Sequence, residues 1–179
     1  MTSPKYTYED YICIPDTGKR YQLIEGELYM VPAPIPYHQI VSIRIASNLS
    51  DYIETNDLGM LLYAPCDIVL SEEDVVQPDI FFISRDRLNI ITDKNINGAP
   101  DLVVEILSPS TSKIDRNLKK KLYLRHEVKE YWIVYPDEEI IEVLIIEGQE
   151  YKRSGLFMKE DALVSPLLQG LKIDLKDIF

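Results

Sequence analysis

The sequence predicts a single mixed α/β (α+β) domain, with an N-terminal β-hairpin, over residues 1–179. One long segment has apolar residues at helical spacing, and several short apolar runs are bounded by turn residues, as strands are. Hydrophobic residues make up 46% of the chain, which is enough to build a core. No internal repeat, low-complexity stretch or linker divides the sequence. We therefore expect one domain that contains both helices and strands.

The N-terminal third predicts a short helix, a hairpin and a long helix. Residues 7–10, Thr-Tyr-Glu-Asp, resemble the capping box that begins a helix. Residues 21–31 contain two short apolar runs about Glu25-Gly26, which predicts the β-hairpin. The prolines at positions 32, 34 and 36 predict a stiff connection, and residues 37–56 then follow the spacing of a long helix.

The rest of the chain predicts mostly strands. Apolar runs at residues 61–70 and 75–83 predict two strands joined by a polar turn, and residues 85–97 are irregular or form a short helix. A buried strand is expected at 101–107 and a helix at 112–127, where serine and threonine supply N-cap residues. Further predicted elements are strands at 130–135 and 140–146, a hairpin at 150–157 and a C-terminal tail.

Composition and charge limit the classes of function. The net charge of -11 argues against a nucleic-acid partner, because phosphate binding normally needs a basic surface. The charge is uneven, however, since residues 113–129 carry seven basic and two acidic side chains, and such a strip is compatible with DNA or RNA. No apolar run approaches the ~20 residues of a membrane span, and the N-terminus lacks the apolar stretch of a signal peptide. Cys13 and Cys66 are too few for a disulfide framework or a zinc site, so we expect a cytoplasmic protein.

The strand predicted at 101–107 contains an acid in its middle. Alternation along the strand places Glu105 on one face with Asp101, Val103 and Leu107. A buried, unpaired carboxylate is costly, so such a group usually pairs with a cation or a metal. Asp79 lies between apolar residues in the preceding predicted strand, and two acids on two apolar strands suit a divalent metal. A structural ion pair, or an edge strand with Glu105 in water, would also explain the acid.

The helix predicted at 112–127 has a basic face. At about 100° per residue, Ile114, Leu118 and Leu122 form the apolar stripe that faces the sheet, and Lys120 points to solvent. Lys119 flanks the stripe and could lean over the sheet. A solvated basic face would explain the same residues, with an exposed Asp115 to Lys119 pair contributing ~0.3–0.5 kcal/mol.

The motifs of the chain are specific in combination. They are Gln77-Pro78-Asp79, the run from Ala99 to Thr111 around Glu105, the four-residue steps Asp115, Lys119 and Tyr123, the strand Glu130-Tyr-Trp-Ile-Val134, His38 at the start of the long helix, and the Glu25-Gly26-Glu27 hairpin. Together they resemble the Uma2 family (DUF820) of restriction-endonuclease-like proteins. The resemblance covers nearly the whole chain.

The resemblance implies the PD-(D/E)XK nuclease fold, a mixed β-sheet flanked by helices with the catalytic acids on adjacent central strands. Asp79 matches the first acid and Glu105 the second. Leu107 stands where this fold usually has a lysine, two residues after the second acid. In the Uma2 family this lysine lies on the following helix, and Lys119 occupies the matching position.

The function that the resemblance implies is metal-dependent endonucleolytic hydrolysis of nucleic acid, expected to be DNA, by a protein that could form a homodimer. Asp79, Glu105 and the backbone carbonyl of Ile106 would hold Mg²⁺ or Mn²⁺, which polarises the phosphate and lowers the pKa of a bound water. Lys119 would orient the water or stabilise the developing charge. The auxiliary residues expected near the site are His38, Glu25 and Glu27, and a structural role at the helix start stays open for His38.

Two other classes of function stay open. A catalytically inactive protein with the nuclease fold could act as a nucleic-acid-binding or protein-interaction regulator, which would fit the missing in-strand lysine and the acidic composition. A plain interaction or structural domain would leave Glu105 merely paired with Lys119. Other enzyme classes lack support, because the sequence contains no Gly-rich phosphate loop, no His-Glu-x-x-His and no nucleophile elbow.

Overall fold

The computed structural model of this protein describes residues 5–15, 17–108 and 114–179, except for the side chains of 114–116. The α-helices in this part are α1 (Tyr8–Ile12), α2 (Pro36–Thr55) and α3 (Lys120–Arg125). A π-helical segment, Ile114–Lys119, leads directly into α3, and short 3₁₀ helices lie at Arg85–Ile90 and Leu175–Asp177. None of these helices is long and apolar enough to cross a membrane.

The strands of the described residues form three sheets. In chain order they are β1 (Arg20–Ile24), β2 (Glu27–Val31), β3 (Gly59–Tyr63), β4 (Ile68–Ser71), β5 (Asp74–Val76), β6 (Ile80–Ser84), β7 (Ile96–Asn97), β8 (Leu102–Ile106), β9 (Glu130–Tyr135), β10 (Ile140–Glu147), β11 (Glu150–Met158), β12 (Ala162–Val164) and β13 (Lys172–Asp174). The central mixed sheet has the order β11-β10-β9-β8-β6-β3, with β8 and β9 parallel. A second sheet has the order β2-β1-β5-β4-β7, and β12 pairs with β13.

The central sheet carries a hydrophobic core on each face. Leu102, Val104 and Ile106 of β8 pack in the core that contains the buried face of α2 and the C-terminal segment. Val103 and Leu107 pack in the other core, with α3 and the second sheet. This split follows the side-chain alternation of a strand and confirms the predicted faces of β8. The mixed sheet between helices also confirms the predicted fold class.

Local sequence signals explain several boundaries. Thr7 caps α1, and its side chain and backbone N–H exchange hydrogen bonds with Asp10, which completes the predicted capping box. The turn between β1 and β2 uses Glu25 at φ 54° and Gly26 at φ 78°, the left-handed pair that matches the twist of a two-residue hairpin. Pro36 is the first residue of α2, a position where its missing N–H costs nothing.

Two predicted strands are each divided between the two large sheets. The run at 61–70 becomes β3 in the central sheet and β4 in the second sheet, with Pro65 between them. The run at 75–83 becomes β5 in the second sheet and β6 in the central sheet, with Pro78 between them. Proline has no N–H to donate to a ladder, so each strand ends there and the chain moves to the other sheet.

The hairpin predicted at 150–157 is wrong. These residues belong to the single strand β11, which pairs with β10 along its whole length. The strand contains a bulge, where Val143 pairs with Gly155 and Leu144 pairs with Arg153. The predicted tail instead contributes β13, which pairs with β12. The helix expected at 112–127 is helical from 114 to 125, and its expected N-cap residues at 110–112 lie outside the described residues.

Candidate active site

The two predicted catalytic acids lie side by side in the central sheet. Ile80 of β6 pairs with Val104 of β8, so the register sets Asp79 opposite Glu105. Both residues line a cleft of about 460 Å³, together with Ile106, His38 and Lys119. The structure therefore brings Asp79, Glu105 and Lys119 to one place, although they are 26 and 14 residues apart in the sequence.

Lys119 and Glu105 form a buried ion pair. The Lys119 ammonium lies 2.8 Å from Glu105 Oε1, and both residues are 3% exposed. The Tyr123 hydroxyl donates a second hydrogen bond to the same oxygen at 2.6 Å. Pairing of this kind offsets the large cost of desolvating a carboxylate and an ammonium. The lysine of the following helix thus reaches the second acid, while its role in catalysis stays a prediction.

Asp79, Ile106 and His38 form the other half of the site. Asp79 Oδ2 accepts a hydrogen bond from the Ile106 N–H at 2.8 Å, which ties the acid to β8. His38, in the first turn of α2, places Nε2 3.0 Å from the Ile106 carbonyl and 3.3 Å from Asp79 Oδ2. Both neighbours are acceptors, so Nε2 carries the hydrogen. His38 therefore bridges the first acid and the carbonyl.

The environment of His38 favours its charged form. Burial by itself would lower the pKa of the imidazole. The hydrogen bond and negative charge of Asp79 act in the opposite direction, helped by the Ile106 carbonyl and the charge of Glu105. The balance raises the pKa of His38 above its ordinary value.

The donor atoms at the cleft suit a hard divalent cation. Two carboxylates, Asp79 and Glu105, and the carbonyl of Ile106 present oxygen ligands. Within the described residues no group of three or more His, Cys, Asp or Glu side chains is placed to hold a metal. A cation at this cleft would therefore complete its shell with water or substrate oxygens, as Mg²⁺ does where it is bound by only one or two carboxylates.

Two predicted auxiliary residues lie elsewhere. Glu25 pairs with Arg125 at 2.9 Å in a separate surface pocket, and Glu27 accepts the hydroxyl hydrogen of Tyr29 at the surface. Neither glutamate lines the cleft. The reason is the direction of the hairpin, because the Gly26 N–H bonds to the Glu73 carbonyl and so anchors the turn far from the acids of the central sheet.

Sequence reasoning missed the residues that the hairpin does contribute. Arg20, Gln22 and Ile24 of β1 alternate onto the cleft, and Gln77 adds a second amide. The sequence did contain a signal, because each of these two apolar runs includes a glutamine. Gln22 precedes Leu23, and Gln77 follows Val76. Tyr123 entered only as part of a spacing pattern, although it contacts Glu105 directly.

Comparisons with known proteins agree with this architecture. A sequence model of the Uma2 family, described as "Putative restriction endonuclease", matches residues 8–176. The chain belongs to the Uma2 family. This confirms the resemblance drawn from the Gln-Pro-Asp, Glu105 and Lys119 motifs.

The individual proteins that this chain matches are distant from it in sequence, and the solved structure among them is close in fold. "Uncharacterized protein slr1290" of Synechocystis sp. is 24% identical over 142 residues, which cover 73% of this chain and 68% of the relative. The crystal structure of a "putative nuclease belonging to DUF820" from Anabaena variabilis superposes with a TM-score of 0.80 at 22% identity and covers 97% of each chain. At this identity the likeness shows the shared fold.

Proposed function

We propose that this Uma2 protein is a metal-dependent endonuclease that hydrolyses phosphodiester bonds in nucleic acid, with DNA as the expected substrate. The observation that carries the proposal is the buried Lys119–Glu105 pair at 2.8 Å, beside Asp79 on the neighbouring strand. The description of the family and the name of the Anabaena relative as a nuclease support it. The homodimer that the resemblance allows stays a prediction.

Each group at the cleft has a distinct task in this proposal. Asp79, Glu105 and the Ile106 carbonyl would hold Mg²⁺ or Mn²⁺. When bound, the metal supplies Lewis acidity, which polarises the scissile phosphate and lowers the pKa of an attacking water. Lys119 is held by Glu105 close to these ligands, where its charge would stabilise the negative charge that develops on the phosphate.

His38 and Tyr123 act as positioning residues. His38 bridges Asp79 and the Ile106 carbonyl and so keeps two of the expected ligands in fixed orientation. Tyr123 donates to Glu105 Oε1 beside Lys119, which fixes the glutamate from a second direction. Partners that orient ligands in this way are a regular feature of metal sites.

The test is cleavage of plasmid, linear duplex, single-stranded DNA and RNA with Mg²⁺ or Mn²⁺. We expect cleavage by the wild type that chelation abolishes, and its loss in Asp79→Asn, Glu105→Gln and Lys119→Met. Lys121→Met is the matched control, because Lys121 is exposed two residues further along the same segment. Circular dichroism and thermal unfolding of each variant separate lost chemistry from lost folding. Cleavage that persists in all three variants would overturn the proposal.

A second candidate, an inactive regulator with the nuclease fold, has one observation in its favour. The carboxylate of Glu105 already satisfies two donors, Lys119 and Tyr123, and could serve the structure alone. Absence of cleavage in the wild type under every metal condition, together with nucleic-acid binding, would establish this candidate instead.

A further inference from the structure

The cleft contains buried polar atoms that lack a partner. Four buried side-chain oxygen or nitrogen atoms of the described residues have no hydrogen-bond partner, and three of them belong to Gln22, His38 and Gln77, which line this cleft. A buried polar atom without a partner costs free energy, so such atoms mark places where water or a ligand binds. Two of the three are amide oxygens that the proposed metal chemistry does not use.

The orientation of the Gln77 amide is fixed by its neighbours. Gln77 Nε2 donates to Asp67 Oδ1 at 2.7 Å, and the Tyr11 hydroxyl donates to the same carboxylate oxygen at 2.9 Å. A carboxylate only accepts hydrogen bonds, so the NH₂ end of the amide must face Asp67. The carbonyl oxygen of Gln77 is therefore the end left without a donor.

Gln22 lies close to Gln77 and makes no side-chain hydrogen bond of its own within the described part of the chain. Leu23 of β1 pairs with Val75 of β5, which sets Gln22 beside Val76 and one residue from Gln77. Gln22 is only 6% exposed. Both amides thus line the cleft, and the Gln77 oxygen is left to accept a hydrogen bond from water or from a bound molecule.

An arginine stands on the same strand face. Arg20 and Gln22 are two residues apart in β1, so their side chains leave the strand about 7 Å apart on one side. Arg20 lines the cleft, and no carboxylate of the described residues forms an ion pair with it. Arginine is well suited to a phosphate, and the spacing to Gln22 is one that a single nucleotide can span.

The rest of the cleft suits a base. Tyr29, the cross-strand partner of Gln22, lines it together with Pro32 and Pro34, which gives an aromatic and apolar wall. Its volume of about 460 Å³ lies within the range of small-molecule pockets. A base inside a stacked duplex could not reach amides as deeply buried as Gln22, so the base must leave the stack.

We propose that this cleft binds one unpaired nucleotide, with Arg20 on its phosphate and the amides of Gln22 and Gln77 on a base that carries an exocyclic amine. The inference rests on the proposed function and deepens it, because it names the substrate as single-stranded or locally unpaired nucleic acid and predicts adenine, cytosine or guanine in the cleft. Asparagine and glutamine side chains recognise base amines in this way elsewhere.

The test measures binding in EDTA, so that cleavage plays no part. Fluorescence anisotropy compares a short labelled oligo(dA) with the same strand built from purine, which lacks the amine, and with the oligo(dA)·oligo(dT) duplex. We expect oligo(dA) to bind at least about 5-fold more tightly than the purine strand, and the duplex to bind more weakly than the single strand. Equal binding of the two single strands overturns the inference, as does failure to bind any of them.

Variants of the two amides and the arginine sharpen the test. Gln22→Leu should remove the preference for the amine. It should leave the melting temperature unchanged or higher, because the substitution removes no side-chain hydrogen bond from the described part of the folded protein. Gln149→Leu, at an exposed glutamine, is the matched control. Arg20→Met should weaken both single strands equally, and more than Lys19→Met does at the exposed neighbour.

Two further comparisons separate the explanations. If a sugar hydroxyl were the donor, oligo(A) of ribose would bind tightly while the purine and adenine deoxyribose strands bound alike, which would overturn the assignment to the base. Metal-dependent cleavage without any preference for the amine would overturn this inference and leave the proposed endonuclease intact. A preference for the amine without cleavage would support the inference and contradict the endonuclease.

Discussion

At the scale of the residue, the Glu105 carboxylate controls the site. It is buried in the middle of a core strand, and its Oε1 accepts from both Lys119 and Tyr123. The charges of Glu105 and Lys119 were both removed from water, so each depends on the other for compensation. The same pair that the proposed chemistry requires therefore also determines whether this region folds correctly.

Lys119→Met tests the structural side of this pair. The substitution leaves Glu105 buried with one donor fewer, and we expect the free energy of unfolding in urea to fall by about 3–5 kcal/mol. Lys121→Met should change it by less than about 0.5 kcal/mol, because Lys121 is exposed. The double variant Glu105→Gln/Lys119→Met should recover part of the loss. An equal fall in the free energy of unfolding in Lys119→Met and Lys121→Met would contradict a compensated buried pair.

Tyr123→Phe tests the positioning of Glu105. Removing the hydroxyl deletes the 2.6 Å hydrogen bond to Oε1, and we expect an unfolding free energy lower by about 1.5–3 kcal/mol. In a cleavage assay kcat should fall with little change in KM, since Tyr123 contacts the acid rather than the substrate. Tyr63→Phe, at a residue 65% exposed, is the control and should alter neither quantity. A fall in kcat without any loss of stability would argue for direct contact with the substrate.

At the scale of the element, Asp74 joins the second sheet to the end of α3. Its Oδ2 lies 3.0 Å from Arg125, 3.3 Å from His126 and 2.7 Å from the Ser71 hydroxyl. Its Oδ1 accepts the N–H of Glu25 in the hairpin turn. Burial would raise the pKa of Asp74, but these hydrogen bonds and the charge of Arg125 outweigh it and hold the pKa well below the ordinary range.

This network predicts how stability depends on pH. Because the folded pKa of Asp74 lies below its unfolded value, its contribution is present above about pH 4 and is lost as the pH falls through the folded pKa. Asp74→Asn should lower the free energy of unfolding by about 2–3 kcal/mol at neutral pH. The variant should also lose less stability than the wild type as the pH falls. The measurement is urea unfolding from pH 7 to pH 2. Asp51→Asn, at an exposed aspartate of α2, should keep the wild-type profile.

At the scale of the whole molecule, negative charge is distributed unevenly between the cleft and the rest of the surface. The chain carries a net charge of -11, yet the residues that line the cleft include Arg20, His38 and Lys119 as well as Asp79 and Glu105. Most of the negative charge therefore lies elsewhere on the surface and would repel a polyanion. We therefore expect a nucleic acid to bind at this cleft, where positive and negative side chains offset each other and a bound cation would add positive charge.

Metal binding should be visible in the stability of the whole protein. A ligand that binds only the folded state raises the free energy of unfolding by about 2.7 kcal/mol at 100 times its Kd. We expect Mn²⁺ to raise the melting temperature of the wild type and EDTA to reverse the effect. Asp79→Asn should abolish the increase, and Asp93→Asn, at an exposed aspartate, should not. An identical increase in both variants would show that the metal binds away from the cleft.

The sequence by itself determined the features that depend on neighbours along the chain. The alternation in β8 placed Glu105 on the same face as Val103 and Leu107, the capping box placed α1, and helical spacing placed α2. It also predicted that Lys119 could lean over the sheet, where its ammonium in fact contacts Glu105. These signals are local, because each depends only on residues that are close together in the sequence.

Only the tertiary structure decided which of these elements meet. The strands divided at Pro65 and Pro78 belong to different sheets, β11 continues through Gly155, and Glu25 and Glu27 lie away from the cleft that Arg20 and Gln22 enter. Lys119 itself is buried where Leu118 is only partly so, because the helix is π-helical up to Lys119 and the regular projection no longer holds. Pairing between distant strands is set by the summed packing of both cores, and no local pattern of residues contains that information.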